Sequence, residues 1–220
     1  MEKTAKNQIK DYISEAEVKK LDLDFQKFLA SPSAPKKAER KININRFKQT
    51  LQSVFSAYFV LPDIFRNYFS LLFSKNYPLR SMEIGLTYEC NGKCDQCSCR
   101  SAHDPNKKRL NLDEFKKAID DSIKLGAFQF NITGGEPLLY HQECLELIKY
   151  IRSKGKYVHL CTNAFLMNDD LTQELKKAGL NSIEMGLDSA DEKTHDSNRG
   201  TNSYQKVMEA VESAKKAGIK

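Results

Sequence analysis

The sequence predicts an α/β fold in which parallel strands alternate with helices. Between residues 82 and 218, short apolar runs alternate with longer segments whose apolar residues recur at helical spacing. A glycine follows each helical segment, as is common at a helix C-terminus. These glycines are Gly126, Gly155, Gly179 and Gly218. This alternation gives a parallel sheet with helices outside it, either curled toward a barrel or wound into an open α/β fold.

Four rounds of strand and helix are predicted in chain order. The strands are expected at Met82–Thr87, Ala127–Ile132, Tyr157–Cys161 and Asn181–Leu187. The helices are expected at Asn111–Leu125, His141–Lys154, Asn168–Ala178 and Ser203–Ala217. Asn111 and Glu114 have the spacing of a capping box. Gly218-Ile219-Lys220 has the pattern of an opening fifth strand, so we expect the natural protein to continue beyond Lys220.

Residues 1–80 are predicted to form a helical N-terminal extension, and residues 81–220 the α/β core. Aromatic residues are concentrated in residues 43–74, where Leu61-Pro62 is expected to separate two helices. Phenylalanines recur four residues apart on one helical face, at Phe65, Phe69 and Phe73. This face is expected to pack on the core or on a second copy of the chain, or to lie at a membrane surface as an interfacial helix.

Composition narrows the class of protein. The chain has 220 residues, of which 40% are hydrophobic and 29% charged, as in an ordinary globular domain. The net charge of +6 is spread along the chain, so no nucleic-acid partner is predicted. The charged N-terminus lacks the apolar region of a secretory signal. The sequence also contains no uninterrupted run of about 20 apolar residues, which a membrane-spanning helix needs. We therefore expect a cytoplasmic protein, with peripheral membrane contact as an addition.

Polar motifs follow the predicted strands. Cys90–Cys97 follows the first strand, Gly134–Pro137 the second, Thr162-Asn163 the third and Asp188-Ser189 the fourth. Because the C-terminal ends of parallel strands face the same way, active sites collect there. The sequence therefore predicts that all of these motifs meet at one edge of the sheet.

Three of the six cysteines lie within eight residues, at Cys90, Cys94 and Cys97. Disulfides are rare in the cytosol, so cysteines there are more often metal ligands, catalytic groups or small core residues. The polar loop around these three favours metal ligands over buried core cysteines. Three thiolates can hold a [4Fe–4S] cluster and leave one iron open to another ligand. The rival interpretation is a zinc-binding interaction module with Cys99 as the fourth ligand. Cys144 and Cys161 are predicted to lie in the core.

The C-x3-C-x2-C loop after the first strand, together with Gly-Gly-Glu-Pro after the second, resembles the radical S-adenosylmethionine (SAM) superfamily. The similarity runs from Met82 to Lys220. It implies a partial (β/α)6 barrel, here truncated after about four strand–helix units. It also implies an enzyme whose [4Fe–4S] cluster lies on Cys90, Cys94 and Cys97, and whose open iron is chelated by SAM.

The implied chemistry is reductive cleavage of SAM. The reduced cluster would pass one electron to the sulfonium, giving methionine and a 5'-deoxyadenosyl radical that abstracts hydrogen from the substrate. An electron donor such as flavodoxin or ferredoxin is implied as a partner.

The resemblance also implies a set of SAM contacts in the second motif. Gly134 and Gly135 would let the backbone approach the methionyl group closely. Glu136 would accept a hydrogen bond from the SAM ammonium, and Pro137 would stiffen the turn. An ordinary strand-to-helix turn is the alternative interpretation of this segment.

Further SAM contacts are implied on the later strands. Thr162 and Asn163 would line the SAM site, and Asp188 would lie near the ribose. Arg199, in a His-Asp-x-x-Arg-Gly sequence, would pair with the SAM carboxylate. The alternatives are ordinary turns and a surface arginine. His195 is predicted to be a capping or surface residue.

Two positions depart from the family pattern. Gln96 stands before the third cysteine, where an aromatic residue is common. Gly186 stands on the fourth strand, where a small hydroxyl residue is common. Both departures bear on the SAM contacts and not on the cluster ligands.

The motifs resemble most the branch of peptide-modifying maturases and of cofactor- and haem-biosynthesis enzymes. We therefore expect a peptide or a small-molecule precursor as substrate. An alternative resemblance is to the hopanoid-biosynthesis enzymes, which would bring a lipid substrate at the membrane surface.

Overall fold

The computed structural model describes residues 58–74, 77–94, 96–97, 99, 104, 108–200 and 202–220. The predicted helices before residue 58 lie outside this part of the chain. The strands are β1 (Ser81–Thr87), β2 (Gln129–Gly134), β3 (Tyr157–Thr162) and β4 (Ser182–Met185). The helices are α1 (Leu61–Phe73), α2 (Leu112–Lys124), α3 (His141–Ser153), α4 (Asp169–Ala178), α5 (Glu192–Arg199) and α6 (Ser203–Ala217). Short 3-10 helices lie at Tyr58–Val60 and Pro137–Tyr140.

The four strands form one parallel sheet in the order β1-β2-β3-β4, and so confirm the predicted alternation. Each crossover therefore moves to the next strand in the same direction, as in a barrel and unlike a doubly wound sheet. At the far edge, the Ile183 N–H donates to the Lys220 carbonyl at 2.7 Å, so the last residues lie beside β4.

The apolar core fills the face of the sheet that the helices cover. One row of register partners runs across all four strands on this face: Ile84, Ile132, Leu160 and Ile183. Helix residues such as Ile119, Ile148 and Leu175 are fully buried in the same cluster. Cys144 is also in this core, as predicted.

The opposite face of the sheet carries polar side chains. Its corresponding row of partners is Glu83, Asn131, His159 and Ser182. Cys161 lies on this face and is only partly buried, so its predicted place in the core is wrong. Strand alternation explains the error, because Cys161 shares its face with His159 and not with the buried Leu160.

The helix boundaries follow from local capping. Asn111 and Glu114 form the predicted capping box at the start of α2. Asn168 caps α4, which ends at Gly179 with φ of 99°. The structure adds α5, which the sequence analysis did not predict.

Helix α1 is attached to the rest of the chain through its polar side. Asp63 and Asn67 are buried, whereas the predicted contact face of Phe65, Phe69 and Phe73 is largely exposed. Asn67 Nδ2 donates to the Gly126 carbonyl at 2.9 Å. Asp63 Oδ2 accepts from Lys156 Nζ at 2.6 Å. Among the described helices, none combines the length and the apolar character needed to cross a bilayer.

The Asp63–Lys156 pair generates a stability prediction. The two side chains are 11% and 10% exposed, so Asp63→Ala leaves an ammonium group buried without its partner. We expect the free energy of unfolding to fall by about 3 kcal/mol, measured by urea denaturation. Arg66→Ala is the control, because Arg66 also pairs with Asp63 but is 58% exposed and should cost less than about 1 kcal/mol. Equal losses in the two variants would contradict this account.

Candidate functional site

The cysteine loop follows β1 and places three thiols on one cleft. Gly92 lies between two of them: a Cβ built on Gly92 would be 3.5 Å from Cys90 Sγ and 3.7 Å from Cys94 Sγ. The Gly92 N–H donates to Cys90 Sγ at 3.3 Å, and the Cys97 N–H donates to the Cys94 carbonyl at 3.4 Å. Cys90, Cys94 and Cys97 all line a cleft of about 550 Å³.

This arrangement fits a group held by three thiolates. Cys90 Sγ and Cys94 Sγ both lie close to Gly92, which has no side chain, and Cys97 and Cys99 line the same cleft. The Cys99 thiol, the candidate fourth zinc ligand, is hydrogen-bonded to the Gly134 carbonyl at 3.1 Å. Burial raises the pKa of the Cys90 thiol, and binding of a metal to its sulfur would release the proton.

Gly134 and Gly135 bring the second motif against the base of the cysteine loop. A Cβ on Gly134 would lie 2.1 Å from the Thr87 carbonyl oxygen, and one on Gly135 would lie 2.2 Å from the Glu89 carbonyl oxygen. The Gly135 N–H donates to Thr87 at 2.6 Å. The two glycines are thus required by close packing on the chain itself. Their predicted approach to a methionyl group stays a prediction.

Glu136 is a fully buried carboxylate bonded on both oxygens. Oε1 accepts from the Leu138 N–H at 3.0 Å and from Thr162 Oγ1 at 2.7 Å. Oε2 accepts from the Asn163 N–H at 2.8 Å. Burial raises the pKa of Glu136, while these hydrogen bonds oppose the rise. In this structure the carboxylate therefore joins the second motif to the end of β3, and its contact with a SAM ammonium stays a prediction.

Asn163 extends this connection to the cysteine loop. Its Nδ2 donates to Asn91 Oδ1 at 2.8 Å and lies 3.6 Å from Cys90 Sγ. Its Oδ1 accepts from the Phe165 N–H at 2.9 Å, which fixes the orientation of the amide. Thr162 and Asn163 therefore lie with the second motif and the cysteine loop at one edge of the sheet, and their contact with SAM stays a prediction. Pro137 opens the short helix beside them.

Asp188 and Arg199 form a second connection, after β4. Asp188 Oδ1 accepts from Arg199 at 2.7 Å, and Oδ2 accepts from Gln96 Nε2 of the cysteine loop at 2.8 Å. The hydrogen bond from Arg199 holds the pKa of Asp188 below its usual range. Arg199 Nε is buried and has no hydrogen-bond partner among the described residues. The hydrogen bond to Asp188 raises the pKa of Arg199, and thiolates at Cys94 and Cys97 would favour its positive charge further.

Gly186 is explained by the same arginine. A Cβ at this position would lie 2.4–2.6 Å from three atoms of the Arg199 guanidinium. A serine or threonine there would displace the arginine. The departure from the family pattern therefore makes room for Arg199.

His195 is a residue that sequence reasoning missed. It is fully buried, so its predicted role as a capping or surface residue is wrong. Nδ1 accepts from the Asp188 N–H at 3.2 Å, and the ring meets Tyr204 edge-on. His195 thus positions the backbone that carries Asp188. Its place inside an otherwise polar helix gave no apolar pattern that could have revealed it.

A parallel sheet whose strand ends converge on three cysteines defines a candidate metal-cluster protein of the barrel type. The family model described as "Radical SAM superfamily" matches residues 84–220, and the chain belongs to this superfamily. Membership implies an enzyme with a [4Fe–4S] cluster and SAM as its cofactors, as the sequence predicted.

Similar proteins agree with this assignment. The probable GTP 3',8-cyclase of Methanococcus maripaludis is 30% identical over 142 residues, which cover 64% of this chain and 47% of that protein. The PqqA peptide cyclase of Bradyrhizobium diazoefficiens is 30% identical over 127 residues, which cover 57% of this chain and 33% of that protein. The chain thus spans about half the length of the first of these curated relatives and about a third of the second.

A solved structure confirms the predicted fold class. Streptococcus suis SuiB bound to S-adenosylmethionine superposes with a TM-score of 0.55 at 19% identity. The match covers 74% of this chain and 38% of SuiB. At this identity the likeness concerns the fold, which is a partial barrel.

The packing of Gly135 generates a prediction about the site. Gly135→Ala should push the Glu89 carbonyl and the cysteine loop away, at a cost of about 1–3 kcal/mol in unfolding free energy. We expect the anaerobically reconstituted variant to retain less than about half of the wild-type iron, since Cys90 follows Glu89 directly. Iron analysis and far-UV circular dichroism measure the two effects.

Gly85→Ala is the matched control, because a Cβ there would meet only the hydroxyl end of the Tyr88 side chain, at 3.6 Å or more. It should keep wild-type iron. Full iron in Gly135→Ala would show that the close contact does not position the loop.

Proposed function

We propose that the chain is the SAM-cleaving core of a radical SAM enzyme that acts on a peptide or a small-molecule precursor. The observation that carries the proposal is the shared cleft of Cys90, Cys94 and Cys97, fixed to the strand ends through Asn163 and Gln96. We further propose that residues 81–220 form this core and residues 1–80 an extension of it.

The three cysteines would hold the cluster through their thiolates. When bound, the cluster would supply the electron that cleaves SAM into methionine and a 5'-deoxyadenosyl radical. The chain's own residues would fix the positions of the three thiols and place the charged side chains of Arg199 and Asp188 beside them. Arg199 has a buried Nε–H without a partner among the described residues, and this donor suits the SAM carboxylate. Asp188 would orient that arginine and lie near the ribose.

Glu136 has a positioning role in this proposal in addition to its predicted contact with the SAM ammonium. Its oxygens already accept three hydrogen bonds, so we assign to it the positioning of Asn163 and Thr162 around SAM. Remaining lone-pair capacity on the carboxylate would serve the SAM ammonium.

The substrate class is supported by the names of the relatives. Both GTP 3',8-cyclase and PqqA peptide cyclase are cyclases, one of a nucleotide and one of a peptide. These names favour the peptide and small-molecule branch over the lipid alternative. A reducing partner such as flavodoxin or ferredoxin completes the proposed reaction, because the cleavage consumes an electron.

Metal and sulfide analysis of the anaerobically reconstituted chain tests the proposal first. We expect about four irons and four sulfides per chain, and none in the Cys90→Ala/Cys94→Ala/Cys97→Ala variant. With dithionite, the wild type should convert SAM to 5'-deoxyadenosine and methionine. Cys99→Ser is the matched control and should keep iron and cleavage. Zinc without sulfide would instead support the zinc-binding module.

Arg199 provides a separate test of SAM binding. Arg199→Gln removes a charged hydrogen bond, so we expect the dissociation constant for SAM to rise about tenfold or more at unchanged iron content. Arg199→Lys keeps the charge and should lose less. Equilibrium dialysis with labelled SAM measures the change. An unchanged dissociation constant in Arg199→Gln would remove the arginine from the SAM site.

A further inference from the structure

A second group of metal-ligand side chains lies on the polar face of the sheet, apart from the cysteine loop. His159, Cys161 and Glu184 each offer a ligand atom, and these atoms all lie within 4.8 Å of one another. We propose that these three residues bind a divalent transition metal, and that zinc is the ion they suit best.

The sheet register creates this group. His159 and Cys161 are two residues apart on β3, so their side chains leave the same face. Cys161 is the register partner of Glu184 on β4, and His159 is the partner of Ser182. Directly paired residues of neighbouring strands lie close enough for their side chains to share one ion. The site therefore rests on regular strands and not on a loop.

The histidine is already oriented as a ligand. His159 Nδ1 lies 2.7 Å from Ser182 Oγ, and its Nε2 lies 3.6 Å from Glu184 Oε2. A metal-binding histidine commonly donates its other ring N–H to a neighbouring acceptor, which fixes the ring and its tautomer. Ser182 Oγ can accept that proton, which leaves the Nε2 lone pair directed to the ion.

The surroundings favour a cation. The cleft in front of these residues has a volume of about 650 Å³ and also receives Glu83 and Asn131. Among the described residues that line it there is no lysine or arginine to neutralise the carboxylates. Burial, together with the charges of Glu184 and Glu83, raises the pKa of the Cys161 thiol. A bound divalent ion would reverse this effect and stabilise the thiolate.

One sulfur, one nitrogen and one carboxylate oxygen form a donor set that suits zinc. Ligand atoms around a tetrahedral zinc are about 3.5 Å apart, given bond lengths near 2.0–2.3 Å. The observed atoms lie within 4.8 Å of one another, and His159 Nε2 and Glu184 Oε2 are already 3.6 Å apart. The Glu184 side chain is 73% exposed, so its carboxylate can adjust to an ion. Three protein ligands leave the fourth position open to the cleft, where water or a substrate group can bind.

Cobalt binding tests the proposal, because thiolate-bound Co²⁺ has an intense charge-transfer absorption. The 220-residue chain carrying Cys90→Ser, Cys94→Ser and Cys97→Ser is titrated anaerobically with Co²⁺, so that the cluster cysteines cannot contribute. We expect one Co²⁺ per chain with a charge-transfer band, and displacement by Zn²⁺. Adding Cys161→Ser should abolish the band, whereas the matched thiol control Cys99→Ser should keep it. His159→Gln and Glu184→Gln should weaken binding at least tenfold.

If the loop variant does not fold, as judged by circular dichroism, the reconstituted wild-type chain takes its place. Elemental analysis should then find about one zinc per chain in addition to iron. His159→Gln should lose the zinc and keep the iron. Absence of cobalt binding, a charge-transfer band that survives Cys161→Ser, or a zinc content unaffected by His159→Gln would each overturn the proposal.

Discussion

The carboxylate of Glu136 is fully buried and accepts hydrogen bonds from the short helix after β2, at the Leu138 N–H, and from the end of β3, at Thr162 and Asn163. Its own N–H donates to the Glu89 carbonyl, one residue before the first cysteine. Through Asn163 it also reaches Asn91 and the Cys90 sulfur. Removal of this carboxylate would break the hydrogen bonds that join the Gly134–Pro137 segment to the end of β3, whereas the Glu136 N–H would still hold the end of β1. The position of Asn163 beside the Cys90 thiol therefore depends on a carboxyl group buried inside the protein.

Burying this carboxylate is unfavourable in itself, as the raised pKa of Glu136 indicates. Three donors from the chain offset the loss of water, and they do so only in one arrangement of the strand ends. A salt bridge closes the other side of the site, where Asp188 holds both Arg199 and Gln96. Gln96 replaces the aromatic residue common in the family, and its amide attaches the loop to the segment that follows β4. The two departures from the family pattern, Gln96 and Gly186, thus belong to one local network around Asp188 and Arg199.

Much of the fold could be predicted from the sequence, because local signals and tertiary packing agree. The capping box at Asn111 and the terminal glycine at Gly179 set helix boundaries that packing did not alter. The α5 helix was missed because only His195 on it is buried, so it has no apolar stripe. The orientation of α1 was also not predictable, since hydrogen bonds of Asp63 and Asn67, and not its phenylalanines, attach it. Hydrophobic periodicity identifies the apolar face of a helix but not the surface on which that face packs.

The candidate site, like the fold, could be predicted from the sequence only in part. The motif residues could be placed at one edge of the sheet because parallel strands end together, yet their contacts required coordinates. Gly135 illustrates the difference: the sequence suggests room for a ligand, whereas the structure shows contact with the Glu89 backbone. Cys161 is the opposite case. The apolar residues near it in sequence suggest the core, whereas its register partner on β4 is Glu184, on the polar face of the sheet. Residues adjacent in sequence on a strand belong to opposite environments, and here that alternation separates the buried core from the His159–Cys161–Glu184 group.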